Sequence, residues 1–106
     1  MHRTLIVARM DPSSAADVAS IFQESDAGEL PDLIGVRSRS LFMFHGLYFH
    51  LVEADEDSTP KLYRNREHPL FHDVNTKLAR HMSPYHPSWR EPKDSMAEQF
   101  YSWERS

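Results

Sequence analysis

Apolar residues recur along this chain with two rhythms, every second position or every third to fourth, and the switches between them mark its elements. Residues 3–10 (RTLIVARM) are β-branched and apolar, which predicts a strand. They stop at Asp11-Pro12, a helix opening in which Asp can cap and Pro suits the first position. Ala15, Val18, Ala19, Ile21 and Phe22 then follow helical spacing, so a helix is expected to run to about Ser25. Gly28 and Pro31 break it, and a long extended run is expected to begin near Ile34. Gly35 to Phe44 and Leu47 to Glu53 read as two strands joined by a tight turn at His45-Gly46.

A polar linker, residues 54–60, separates this hairpin from a second helical pattern. Leu70, Phe71, Val74, Leu78 and Met82 lie on one face of a predicted long helix. Residues 83–92 (SPYHPSWREP) hold three prolines and predict a loop wrapping the surface. The aromatics of residues 95–104 (SMAEQFYSWE) predict the last strand. Strand, helix, strand, strand, helix, strand is the order of an α+β, ferredoxin-like βαββαβ domain. Such a domain has a four-stranded antiparallel sheet with two helices on one face. The other face needs a cover, and a second copy of the sheet is the usual one, so a homodimer is expected.

Pairing around His45-Gly46 sets Met43 against Tyr48, Leu41 against His50, Arg39 against Val52 and Arg37 against Ala54. Those eight residues share one face. Ser38, Ser40, Phe42 and Phe44 with Leu47, Phe49, Leu51 and Glu53 make the other. Arg39 and His50 thus become diagonal neighbours among apolar residues, where a guanidinium and an imidazole are costly unless partnered. A structural reading gives the arginines ion pairs with the linker or helix ends, and gives His50 a backbone carbonyl. A functional reading gives Arg39 and His50 a ligand oxygen, as the polar spots of an otherwise apolar cavity.

Composition narrows the choice of function. At 106 residues the chain has room for one domain, residues 1–106, with a single core. The absence of cysteine removes thiolate nucleophiles, disulfides and the common cysteine-based zinc sites. A formal charge of −4 with scattered basic residues lacks the footprint of a nucleic-acid binder. The only apolar run near the start is four residues long, so neither a signal peptide nor a membrane span is expected, and the cytoplasm is the expected compartment. His68 and His72 have the spacing of two metal ligands on one helical turn. His68 precedes Pro69, however, where a capping role is expected, and no carboxylate motif accompanies the pair. Neither a metal nor a cofactor is expected. Asp26 follows the first helix, where a turn or cap residue is usual. Next to Arg39 and His50 it would complete a proton-transfer set of acceptor, donor and cation.

The stretches HRTLIVARMD (2–11), SDAGELPDLIGVRSRSLFMFHGLYFHLVE (25–53), HPLF (68–71), PY (84–85) and FYSW (100–103) resemble the TcmI family of aromatic polyketide cyclases, the tetracenomycin F2 cyclase type. The resemblance covers nearly the whole chain with motifs in order. It implies a dimeric α+β barrel, free of cofactors, that closes rings of a poly-β-ketone or a partly cyclised intermediate, free or carrier-protein-bound, by regiospecific intramolecular aldol condensation and dehydration in type II polyketide biosynthesis. The family's aspartate after the first helix falls on Asp26, its strand-two arginine on Arg39 and its strand-three histidine on His50. Some members have a histidine before that aspartate where this chain has Ser25. Family members also often carry Asp after the hairpin histidine, where this chain has Gly46, a residue that tolerates the positive φ of such turns. A cofactor-independent anthrone monooxygenase of the same architecture and a non-catalytic polyketide-binding chaperone are the competing readings.

Overall fold

The computed structural model describes residues 1–105. Strands β1 (His2–Met10), β2 (Ser38–Phe44), β3 (Leu47–Ala54) and β4 (Met82–Pro84) form one antiparallel sheet in the order β2-β3-β1-β4. Helices α1 (Ala15–Asp26), α2 (Leu30–Ile34), α3 (Thr59–Arg64) and α4 (Pro69–Leu78) fill the connections. This is the α+β, ferredoxin-like arrangement that the element order predicts. Among the described residues no helix is long and apolar enough to cross a membrane.

The hairpin has the expected register: Arg39 faces Val52, Leu41 faces His50, Met43 faces Tyr48 and Phe44 faces Leu47. His45 (φ 48°) and Gly46 (φ 79°) both adopt left-handed conformations, the turn geometry that matches strand twist. Along β3 every second residue is buried, namely Tyr48, His50, Val52 and Ala54. Their face lies under α1 and α4, where Val18, Phe22, Tyr48, Ala8 and Met10 form the core and Val74, Leu78 and Met82 pack against it. The opposite face presents Leu5, Val7, Leu47, Phe49 and Leu51 half-buried, with Phe42 and Phe44 exposed.

Four boundaries depart from the sequence reading. The extended run expected from Ile34 is preceded by a helix: Pro31 sits in the first turn of α2, and Gly35 closes that helix at φ 82°. The strand therefore starts at Ser38, and Arg37 lies just outside it. The long helix expected to carry Leu70 to Met82 is α4, which ends at Leu78, so Met82 leaves the helical face to begin β4. A short helix, α3, precedes it where no element is expected. The fourth strand is not residues 95–104. It is Met82–Pro84, pairing with Ala8–Met10 at a sheet edge, where a proline's missing N–H is tolerated. Residues near 96 only extend that edge, through an isolated bridge from Met96 to Ile6 and a bond from Ala97 N–H to the Leu5 carbonyl. Beyond them Phe100, Tyr101 and Trp103 stand exposed.

Candidate active site

Local sequence brings three distant polar side chains together. Asp26 is the last residue of α1, and Phe22, one turn earlier, is on the same helix face. Arg39 and His50 are diagonal neighbours on the face of the sheet that α1 covers. The Arg39 guanidinium donates from Nε to Asp26 Oδ1 (3.2 Å) and Oδ2 (3.0 Å), and from Nη2 to Oδ1 (2.8 Å). Its Nη1 lies 2.9 Å from His50 Nε2. Arg39 thus takes the helix-end acid that the structural reading expects, and its second partner is the neighbouring histidine.

That last contact fixes the chemistry of the imidazole. Arginine has only donors, so Nε2 of His50 must be the unprotonated acceptor and the ring proton must sit on Nδ1. Burial of the ring, and then the Arg39 charge, pull the His50 pKa from an ordinary 6.5 to about 3. At neutral pH His50 is thus a neutral donor through Nδ1–H, and its bond runs to Arg39 rather than to a backbone carbonyl. Phe22 roofs the pair: its ring meets His50 edge-on at 5.0 Å between centroids, and the Arg39 guanidinium lies 4.6 Å from its centroid. Edge contacts and cation–π attraction of this kind favour a charge held out of water. The Arg39 side chain is 13% exposed and that of Asp26 37%, so water and ligands reach the carboxylate end more readily.

The other polar residues fall away from this cluster. Arg37 pairs with Asp55 of the acidic linker at 3.2 Å and is exposed, a rim position. His45 stays in the turn, its ring edge-on to Phe44 at 4.2 Å. His68 caps α4 by accepting from Leu70 N–H through Nδ1 at 3.1 Å. His81 lies near Ser14 Oγ at 3.2 Å and His86 near Ser88 Oγ at 2.7 Å. Ser25 is half-buried next to Asp26. Three clefts of about 210, 400 and 510 Å³ lie elsewhere on the molecule, and Asp26, Arg39 and His50 line none of them. Phe22 belongs to the cluster although the sequence reading placed it only in the core stripe. Its four-residue spacing from Asp26 is the signal that would have found it.

Known proteins of this kind exist. The model of a family described as polyketide synthesis cyclase matches residues 2–104. Tetracenomycin F2 cyclase of Streptomyces glaucescens is 54% identical over 96% of this chain and 94% of its own length. Polyketide synthase CurG of Streptomyces cyaneus is 47% identical over 99% of each. A solved structure of the tetracenomycin F2 cyclase, described as a type-II polyketide cyclase, superposes with a TM-score of 0.96 at 52% identity, covering 100% of both chains.

Proposed function

The chain belongs to the polyketide synthesis cyclase family, and from that premise we propose that Asp26, Arg39 and His50 are the groups with which it closes an aromatic ring. It is a polyketide cyclase, and its reaction is an intramolecular aldol condensation followed by dehydration. The observation that carries the site assignment is the continuous hydrogen-bonded line from Asp26 through Arg39 to His50 under α1. Residues from three separate elements converge there in a mostly buried setting.

An aldol closure needs a base for a C–H proton flanked by two carbonyls, and a donor for the oxyanion. His50 is ill suited as the base, because its Nε2 lone pair already accepts from Arg39. The Asp26 carboxylate takes the proton. The enolate carbon attacks a second carbonyl, and the alkoxide that forms is held by His50 Nδ1–H and by the N–H groups that Arg39 has left. Protonated Asp26 returns its proton to that alkoxide. A second C–H proton and the hydroxide then leave as water, and the ring becomes aromatic. Holding the chain in one fold supplies much of the rate, since such polyketones also cyclise unaided. The enzyme works without a cofactor, in the cytoplasm, on a free or carrier-borne polyketide. It works as a homodimer whose second copy covers the apolar face of Leu5, Val7, Phe49 and Leu51.

The test is a reconstituted minimal synthase supplied with wild-type protein, Asp26→Ala, Arg39→Ala or His50→Ala, with products identified by mass spectrometry and NMR. Each variant should lower the yield of the enzyme-directed ring about 10²-fold or more. Full rate and regiochemistry in all three would overturn the assignment of these groups as the acid–base machinery. Ring closure under argon separates the cyclase from an oxygen-consuming monooxygenase.

A further inference from the structure

Two polar atoms beside the cluster are left over by the bonds described above. Tyr48 lies two residues before His50 on β3, so both side chains point to the same face, with ring centroids 6.1 Å apart. Tyr48 is 3% exposed, and its ring is part of the core. Its hydroxyl nevertheless bonds to no protein atom among the described residues, and no side-chain nitrogen or oxygen there is both fully buried and unpartnered. The hydroxyl must therefore touch open space, because a phenol sealed away without a partner is expensive.

The neighbours say where that space lies. Across the ladder toward β1, Tyr48 faces Ala8, which is buried. Toward β2 it faces Met43, which shares the helix-covered face and is yet 54% exposed. The opening is thus over edge strand β2, next to Leu41 and Arg39. The same accounting applies to His50 Nδ1–H, which has no protein acceptor among the described residues. Arg39 has spent three of its five N–H groups on Asp26 and His50.

We propose that the Tyr48 hydroxyl is a further catalytic group, a hydrogen-bond donor to one carbonyl oxygen of the polyketide while His50 Nδ1–H binds another. This deepens the cyclase reading and rests on it. The phenol keeps its proton throughout: burial pushes its pKa far above the ordinary 10, outweighing the Arg39 charge that lowers it. It acts by stabilising the enolate oxygen of the nucleophilic half, while His50 Nδ1–H holds the alkoxide that grows on the carbonyl under attack. Two donors fixed on one strand also select which pair of carbonyls is held, and so which ring closes.

Tyr48→Phe removes one oxygen and little else. With no protein partner to lose, the variant should keep the wild-type urea midpoint, which separates this role from a structural one. With the reconstituted synthase, the yield of directed ring should fall about tenfold or more, with a larger share of spontaneous products. Binding of 1,8-dihydroxyanthraquinone, a flat hydroxyketone probe followed by fluorescence quenching, should weaken about five- to tenfold. The ¹³Cζ resonance of Tyr48 in the wild type should move as the quinone is added, a readout that needs no variant. Wild-type binding weakened by Tyr48→Phe, with no ring-closing activity in either protein, would sink the cyclase reading and keep Tyr48 as a ligand donor. Equal rates and product ratios in the two proteins, with equal affinity or no affinity for the quinone, overturn the assignment of Tyr48.

Discussion

Replacing Asp26 by Asn keeps the shape of the side chain and removes the charge facing Arg39. The cost follows from how the pair is placed. Ion pairs in open water contribute up to about 1 kcal/mol, whereas breaking a buried pair costs about 3–5 kcal/mol. Here the Arg39 side chain is 13% exposed and that of Asp26 37%, so the attraction is partly screened. Asn still accepts one bond from the guanidinium, and Phe22 still offers its face at 4.6 Å. About 1.5–2 kcal/mol should therefore be lost, which lowers Tm by roughly 7–9 °C in a domain of this size. Urea titration followed by circular dichroism measures it, with Arg39→Met and the double variant completing a cycle. The double variant should be less destabilised than the two single losses added together, because it leaves no orphaned charge. A loss below about 0.5 kcal/mol for Asp26→Asn, or zero coupling in the cycle, would show that the carboxylate is not what keeps the guanidinium under α1.

Three further outcomes are expected. His50 is held neutral in the fold with its pKa near 3, whereas the unfolded ring titrates near 6.5, so the unfolded state binds more protons between those values. Stability should be full above pH 6.5 and fall on acidification by about 2 kcal/mol by pH 5 from this group alone, and His50→Gln should flatten that part of the urea-midpoint profile. Phe22→Leu keeps most of the apolar volume but removes the ring over His50 and Arg39, so calorimetry should show a loss of about 1–2 kcal/mol, with the rate of directed ring closure falling as well. At the hairpin turn, His45→Asn should raise the unfolding free energy from urea titration by about 0.5 kcal/mol, because Asn accepts φ 48° more readily than His, while Gly46→Ala at φ 79° should lower it by about 1 kcal/mol.

The hairpin could be read from the sequence because two local rules coincide there: alternation fixes the faces, and the His45-Gly46 turn fixes the register. Together they made Arg39 and His50 neighbours before any tertiary information. Asp26 was harder, since nothing in its own segment says what the end of α1 will touch. Its assignment came from the family resemblance, and the structure supplies the bonds. Where the reading failed, tertiary context outweighed local preference. Phe100, Tyr101 and Trp103 have strand-forming side chains, but the edge of β1 is already taken by Met82–Pro84 and by the bridge at Met96. Pro31 reads as a breaker and Gly35 as the start of an extended run, although a proline early and a glycine late also bracket a short helix such as α2. Tyr48 is not legible as a functional group in the sequence, because its position says only that it is buried. That its hydroxyl lacks a partner among the described residues is a fact of three-dimensional packing.

The alternating pleat of β3 gives the site a parity. Leu47, Tyr48 and Phe49 stand between the turn and His50, and an even step from Tyr48 puts both donors on the face under α1. Losing any one of those three residues would exchange the two faces for everything behind it. His50 would then leave Arg39 for the side where Phe49 and Leu51 now lie. Side-chain substitutions can tune this site by degrees, whereas single-residue deletions in β3 act on it as all or nothing. Lineages that diversify ring specificity should therefore show varied residues at a constant count between Gly46 and His50, with length changes confined to segments such as residues 54–58 and the tail beyond Ala97.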